Sequence, residues 1–294
     1  MKVLNFGSLN IDYVYSVDHF VTAGETLSSH GFTTNAGGKG LNQSIALAKA
    51  GSSVYHAGMV GLEGGFLLRL LQENGVNISL VQETSSATGH TIIQVDKTGQ
   101  NCILLYGGAN QNIDAAFADT VLSHFEPGDM LLLQNEISSL GHIMQKAAEN
   151  KMTIVLNPSP ITDSLQTLPL ELVSMFLINE IEGAALAGST DPDTIVKALL
   201  KKYPQSRIVL TLGAAGAIYA DAETVLFQPI FPANTVDTTA AGDTFTGYLL
   251  DSISKGFSVE KALRRASFAS SLAVSRQGAA ASIPYAAEVD AGPV

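Results

Sequence analysis

The chain has 294 residues, 46% of them hydrophobic and 15% charged, with 27 acidic against 16 basic side chains and a formal net charge of −11. That apolar share is enough to build a large core and excludes disorder as the prevailing state. The acidic balance, with no basic stripe anywhere, excludes a nucleic-acid surface, because phosphate backbones are held by clustered lysines and arginines.

In chain order, Met1 to Gly7 contains no apolar stretch of secretory type, and no segment approaches the ~18 uninterrupted apolar residues of a membrane helix. A protein of the cytoplasm with no membrane partner is expected. Val3-Leu4-Asn5-Phe6 reads as a first strand ending at Gly7, and Asn42 to Ala50 as a helix stopped by Gly51. Phe66 to Glu73 reads as a second helix, closed by Asn74-Gly75. The runs Met130–Leu133, Thr153–Leu156, Met175–Ile178 and Arg207–Thr211 are apolar without alternation, as strands covered on both faces are. Helical segments Leu140–Asn150 and Asp191–Lys202 lie between them. Strand–helix repetition of this kind predicts an α/β fold with a central, mostly parallel sheet flanked by helices.

Two segments depart from that pattern. Residues 12–35 and 86–106 are rich in Thr, Ser, Val, Tyr and Ile with polar–apolar alternation, and Asp96 to Gln100 supplies a hairpin turn between Thr91–Val95 and Asn101–Leu105. They predict a small antiparallel sheet on the α/β body, either a lid over a reacting site or a structural extension. The single cysteine, Cys102, cannot form an internal disulfide and reads as a small buried hydrophobe in the run Cys102–Leu105. The six histidines show no ligand spacing and read as surface or structural residues.

Four constellations bear on chemistry. Asn35 to Asn42 is rich in glycine and opens the first helix, but Thr33 and Gly40 stand where a Walker A loop needs Gly and Ser or Thr. Backbone open to close approach, the Lys39 cation and a helix N-terminus remain. Asp237 to Phe245 places small residues before a helix read over Phe245–Ile253, leaving bare amides as a nest for anionic oxygens, with the Asp243 carboxylate at its mouth. Such an aspartate is either a helix cap or a base toward a hydroxyl, the pairing that phosphoryl transfer needs. Thr211 to Gly216 follows a strand but lacks the dinucleotide fingerprint, which disfavours nicotinamide. Asn10 and Asp12, at i, i+2 spacing, share one face of an extended segment; they suit a polyhydroxy ligand or a capped loop.

Together these segments resemble the ribokinase family, the sugar and nucleoside kinases that include fructokinases and adenosine kinases. The likeness runs from Gly7–Asp12 to Ser275–Gly278, with both family signatures, Gly37–Asn42 and Asp237–Asp243, in order. It implies one domain over 1–294, with the lid at about 12–35 and 86–106. It also implies an ATP-dependent kinase for the primary hydroxyl of a small sugar, a pentose such as ribose foremost; a fructokinase, a nucleoside kinase and a non-catalytic sugar-binding relative are the alternatives.

By this resemblance Asp243 is the general base and the amides of Ala240, Ala241 and Gly242 form the anion hole. Asn10, Asp12, Gly38, Lys39, Asn42 and Glu136 match sugar-binding positions. Asn179 and Glu182 serve the phosphates and a water-bound Mg²⁺, while Thr211, Gly213 and Gly216 line the nucleotide. Asp237, Thr239, Ala273, Arg276, Gly278 and Ser282 resemble a potassium site. After Gly61 only Glu63 stands where the family often has an acidic pair, and the bulky Tyr106 is expected to reshape the pocket edge. A homodimer through the lid is expected, using Val14, Val17, Phe20, Leu27 and Phe32.

Overall fold

The computed structural model describes residues 1–294. Its elements in chain order are β1 (Val3–Phe6), β2 (Asn10–Ser16), β3 (Gly31–Gly37), α1 (Lys39–Ala50), β4 (Val54–Gly61), α2 (Gly65–Glu73) and β5 (Asn77–Thr84). Then come β6 (Gly89–Val95), β7 (Asn101–Tyr106), α3 (Ala115–Leu122), β8 (Met130–Gln134), α4 (Leu140–Glu149), β9 (Thr153–Asn157) and β10 (Met175–Asn179). The chain finishes with α5 (Glu180–Ala187), α6 (Pro192–Lys202), β11 (Arg207–Thr211), β12 (Gly216–Ala220), β13 (Val225–Pro229), α7 (Ala241–Ser254), α8 (Val259–Val274) and α9 (Ala286–Asp290). No helix is long and apolar enough to cross a membrane.

A nine-stranded sheet runs in the order β13-β12-β11-β10-β9-β8-β1-β4-β5, and β12 alone runs against the rest, antiparallel to both β11 and β13. Strand side chains alternate between faces, and the core divides accordingly. Leu4, Phe6, Leu131, Leu133, Leu156 and Phe176 pack beneath α3, α4 and α6. Val3, Met130, Leu132, Val155, Leu177 and Val209 pack beneath α1, α2, α7 and α8. The unbroken apolar strands of the sequence are therefore covered on both sides, as expected. His56 interrupts β4 and hides that strand from a pattern search; it is fully buried and bonded to Ser44 Oγ through Nδ1 at 2.8 Å.

The other four strands form a separate sheet, β3-β2-β6-β7. Two of its pairings are antiparallel, whereas β2 and β6 run parallel. The reason lies in the large sheet: β1, β4 and β5 are parallel there, and β1 and β5 each continue from the same edge directly into a strand of the small one.

Three expectations change here. Cys102 is exposed, because β7 is an edge strand whose six residues all face solvent. Tyr106 pairs with His90, their rings 5.0 Å apart, on the face of the small sheet opposite Asn10 and Asp12, so it does not shape the pocket edge. Of the five residues expected to carry association, Val17 is buried and Phe32 alone is exposed. On the small sheet, further exposed apolar side chains lie on β6 and β7, at Ile92, Ile103, Leu104, Leu105 and Tyr106.

Candidate active site

The parallel strands β8, β9, β10 and β11 each end in a polar residue: Gln134, Asn157, Asn179 and Thr211. That edge is where open α/β sheets take ligands. On the side toward the small sheet, α1 begins at Lys39, three residues earlier than the apolar period predicts. Gly38 precedes it with φ 95°, and a Cβ on Gly37 would sit 2.0 Å from Asp12 Oδ2. Only glycines let the chain turn there while a carboxylate lies over it.

Asp12 Oδ1 accepts from Thr91 Oγ1 at 2.6 Å, and burial pushes its pKa up against that bond. Asn10 is buried, its Oδ1 taken by Asn110 Nδ2 at 2.8 Å. Glu136, just past β8, accepts the Lys39 N–H at 3.0 Å and a short hydrogen bond from Ser8 Oγ. Burial raises the Glu136 pKa; Ser8 and the charge and amide of Lys39 offset part of that, and Asp243 adds to it. Burial alone would lower the Lys39 pKa, yet the field of Asp243, Glu136 and Glu182 outweighs it and holds the ammonium above the ordinary lysine value.

Ala240, with φ 58°, starts α7 as a left-handed N-cap with no side-chain cap. Ala241, Gly242 and Asp243 thus form the first turn, earlier than the expected start at Phe245. Among those amides, Ala241 N donates to Thr238 O at 3.2 Å and leaves the nest. The N–H groups of Ala240, Gly242 and Asp243 have no acceptor within the chain, so the nest keeps Ala240 and Gly242 and takes Asp243 in place of Ala241.

Asp243 does not cap its helix. Its Oδ1 accepts from Gln43 Nε2 at 2.9 Å and its Oδ2 from Asn42 Nδ2 at 3.2 Å, both donors on α1. Burial drives its pKa up, opposed by Lys39, Gln43 and Asn42. A carboxylate near a cation, with its pKa raised, is poised to accept a proton.

A cavity of about 260 Å³ opens at this point, lined by Lys39, Asn157, Asn179, Glu182, Thr211 and the turn Ala240–Asp243 among others. Asn179 and Glu182 form a capping box on α5: Glu182 N donates to Asn179 Oδ1 at 2.9 Å and Asn179 N to Glu182 Oε2 at 2.9 Å. An unsatisfied amide nest, a lysine and a buried carboxylate around one polar cavity suit a polyphosphate facing a hydroxyl.

Residues 1–286 match the pfkB family carbohydrate kinases. The chain belongs to that family. It is 33% identical to a ribokinase of Schizosaccharomyces pombe, covering 99% of this chain and 97% of that one. It is 34% identical to a bifunctional ribokinase/ribose-5-phosphate isomerase A of Fructilactobacillus sanfranciscensis, of which it spans only 54%. Two solved structures have the same fold over 98% of this kinase. One is a Cryptococcus neoformans ribokinase in complex with ADP, 31% identical with a TM-score of 0.87 and 98% of its own chain covered. The other is an Arabidopsis thaliana ribokinase with ribose and ATP, 28% identical with a TM-score of 0.85 and 97% covered.

The remaining expected residues of this kinase divide. Asn42 bonds Asp243 and Glu136 bonds Lys39, two residues that line the cavity, and Gly38 directly precedes Lys39; Asn10 and Asp12 are held by Asn110 and Thr91 and do not line it. Gly216, expected at the nucleotide, is buried at the start of β12, where a Cβ would meet Gln228 O at 2.2 Å. Gly213 is exposed on the turn before it. Asp237 bonds Thr239 N through Oδ1 at 2.9 Å and Gly278 N through Oδ2 at 2.9 Å, which brings the two halves of the expected potassium site together. The Arg276 guanidinium points away to Glu288. Asn157 and Gln43 were not anticipated; a polar residue ending the run Thr153–Leu156 was the available signal for the first.

Proposed function

We propose that this kinase transfers the γ-phosphoryl group of ATP to the primary hydroxyl of a small sugar, ribose foremost. The carrying observation is the Asp243 carboxylate, turned toward α1 beside free amides rather than capping its own helix. The named ligands of the Arabidopsis ribokinase, ribose and ATP, and the ADP of the Cryptococcus one support the substrate pair. Asn10, Asp12, Asn42 and Glu136 form a polar shell suited to several hydroxyls and offer no aromatic platform for a nucleobase.

In the reaction the sugar hydroxyl loses its proton to Asp243 as its oxygen bonds the γ-phosphorus. The bond from that phosphorus to the β-bridging oxygen breaks, and ADP leaves. The amides of Ala240, Gly242 and Asp243, with the N-terminal end of α7, stabilise the transferring group, and Lys39 adds positive potential. Mg²⁺ neutralises phosphate charge when bound. Both oxygens of Glu182 already hold Asn179, which fits a residue that orients metal-bound water rather than one in a cage, and no acidic cluster is present.

The carbonyls of Thr239, Arg276 and Gly278 accept no hydrogen bond, whereas the Ala273 carbonyl accepts from Arg276 N at 3.0 Å and Ser282 Oγ donates to Ala279 O. Free carbonyls and a carboxylate are the donors K⁺ takes, and a K⁺ held there by Asp237, Thr239, Arg276 and Gly278 would steady the loop that leads into the nest. The domain spans 1–294 with the small sheet as its lid, the chain associates as a homodimer through that sheet, and its place is the cytoplasm, where ATP is made available.

The test is an ATP-consumption assay over pentoses, hexoses and nucleosides. Ribose turnover with strict ATP dependence is expected; preference for a nucleoside, or sugar binding without product phosphate, overturns the assignment. Asp243→Asn should remove about 10²–10⁴ of the rate while sugar still binds. Near-normal activity in that variant would refute the mechanism.

A further inference from the structure

Gln43 is fully buried and lies on α1 immediately after Asn42, yet the two amides are held differently. Gln43 Nε2 donates to Asp243 Oδ1 at 2.9 Å and to Asn157 Oδ1 at 3.1 Å, and its Oε1 accepts from Gln134 Nε2 at 2.6 Å. Gln134 Nε2 in turn also reaches Asn5 Oδ1 at 3.0 Å. Turning the Gln43 amide over would set donor against donor at Gln134 and acceptor against acceptor at Asn157 and Asp243. Its orientation is locked.

Asn42 has no such constraint. Its one side-chain bond is the 3.2 Å contact to Asp243 Oδ2, and its own Oδ1 is buried with no partner. An orphaned buried carbonyl is costly and marks an amide that awaits something to accept from. It can accept from a substrate hydroxyl or, after a half-turn, from a newly protonated Oδ2.

Resting on the kinase reading above, we propose that Gln43 is a positioning residue that gives the two oxygens of Asp243 separate tasks: it anchors Oδ1 and leaves Oδ2 to take the proton of the attacking hydroxyl. In that step the hydroxyl O–H bond breaks, an O–H bond forms at Oδ2, and the electron pair stays on the sugar oxygen that attacks phosphorus. The groups that bear on this carboxyl are Lys39 at the start of α1, whose charge favours ionisation, and Glu136 past β8, whose charge opposes it; Glu182 on α5 faces the same lysine. A donor held on the ionised form favours that form, so loss of the Gln43 bond should move the ionisation upward.

The experiment compares wild type, Gln43→Met and Gln43→Glu by the pH dependence of kcat and by carbon NMR titration of the Asp243 carboxyl, assigned through its loss in Asp243→Asn. Gln43→Met should lower kcat at neutral pH about tenfold and shift its acid limb up by about one unit, with KM for sugar little changed. Gln43→Glu keeps the shape and sets a second carboxylate on Oδ1, so its limb should move further up. Circular dichroism and binding of a non-hydrolysable ATP analogue establish folding. In the wild type, the Gln43 side-chain amide signal should move as Asp243 titrates. Wild-type limbs in both variants, or an amide signal indifferent to that titration, overturn the proposal. An active Asp243→Asn variant would instead overturn the kinase mechanism itself.

Discussion

Glu136 accepts the backbone N–H of Lys39 at 3.0 Å, so a carboxylate from beyond β8 closes the N-terminus of α1. The helix needs an outside acceptor because its own N-cap is Gly38, which has no side chain. The same carboxylate belongs to the proposed sugar-side shell, and its two roles should separate by substitution. Glu136→Ala removes the acceptor and should destabilise the fold by about 1 kcal/mol, as loss of a helix cap does. Glu136→Gln keeps an acceptor and removes a charge whose ionisation burial disfavours. It should hold or raise Tm while still raising the sugar KM. Thermal melts beside steady-state kinetics check this; equal Tm losses in both variants would count against the capping role.

Asp243 should make the enzyme less stable in the pH range where it is active. Burial raises its pKa in the folded state, so the folded chain holds that proton more tightly than the unfolded one. The stability it contributes is therefore greatest below the unfolded pKa and declines as pH rises through the folded value. Asp243→Asn should raise Tm at neutral pH and leave it near wild type in acid, where both side chains are uncharged. Asn42, with its unpartnered Oδ1, can turn over to accept from the new amide. A neutral-pH Tm below wild type would show that the ionised carboxylate stabilises the fold.

Much of this site was open to sequence reading because its parts are local. Gly37–Asn42 and Ala240–Asp243 each combine a tight turn, a helix start and a charged side chain within a few residues. The four central strands were legible as apolar runs, and their polar last residues mark the ligand edge. What escaped is non-local. Gln43 meets Asp243 across 200 positions and Asn157 across 114, and no periodicity connects them. Gly216 also lets β12 approach β13, a contact created only when the hairpin closes and invisible in the local motif. Cys102 belonged to a strand whose composition suits an interior, and only the order of the small sheet places it on an open edge.

Behind the site, α7 is tied to the rest of the molecule through one buried charge cluster. Asp251 accepts from Arg265 Nη1 at 2.7 Å, Lys255 Nζ at 2.8 Å and Ser52 Oγ at 2.8 Å, and it is wholly buried. Arg265 also reaches Ala50 O at 3.3 Å and Asp290 at 2.8 Å, which joins α1, α7, α8 and α9. Removing one partner of a buried pair costs about 3–5 kcal/mol because the other charge is stranded. Lys255 still serves Asp251, so Arg265→Met should fall at the lower end, near 3 kcal/mol, or about 10 °C in Tm. The folded fraction should keep its kcat, since Asp251 lies two turns from Asp243 along α7. Denaturant titration and kinetics check both halves; a large kcat loss without destabilisation would place Arg265 in the chemistry instead.

The small sheet presents Leu104 at 66% exposure beside Ile92 and Tyr106 on one face, with Ile103 and Leu105 exposed on the other. Apolar side chains concentrated on an edge strand make poor solvent contacts, and an unpaired edge invites a partner. A second copy of the chain covers them if the proposed homodimer forms. Leu104→Lys puts a charge at the middle of β7 without touching Asn10, Asp12 or Thr91, whose side chains lie on the opposite face. Sedimentation should find the wild type dimeric and this variant monomeric at the same concentration, with the melting of the monomer now independent of protein concentration. A dimer that survives the substitution unchanged would place association on another surface, and a monomeric wild type would leave these residues without that role.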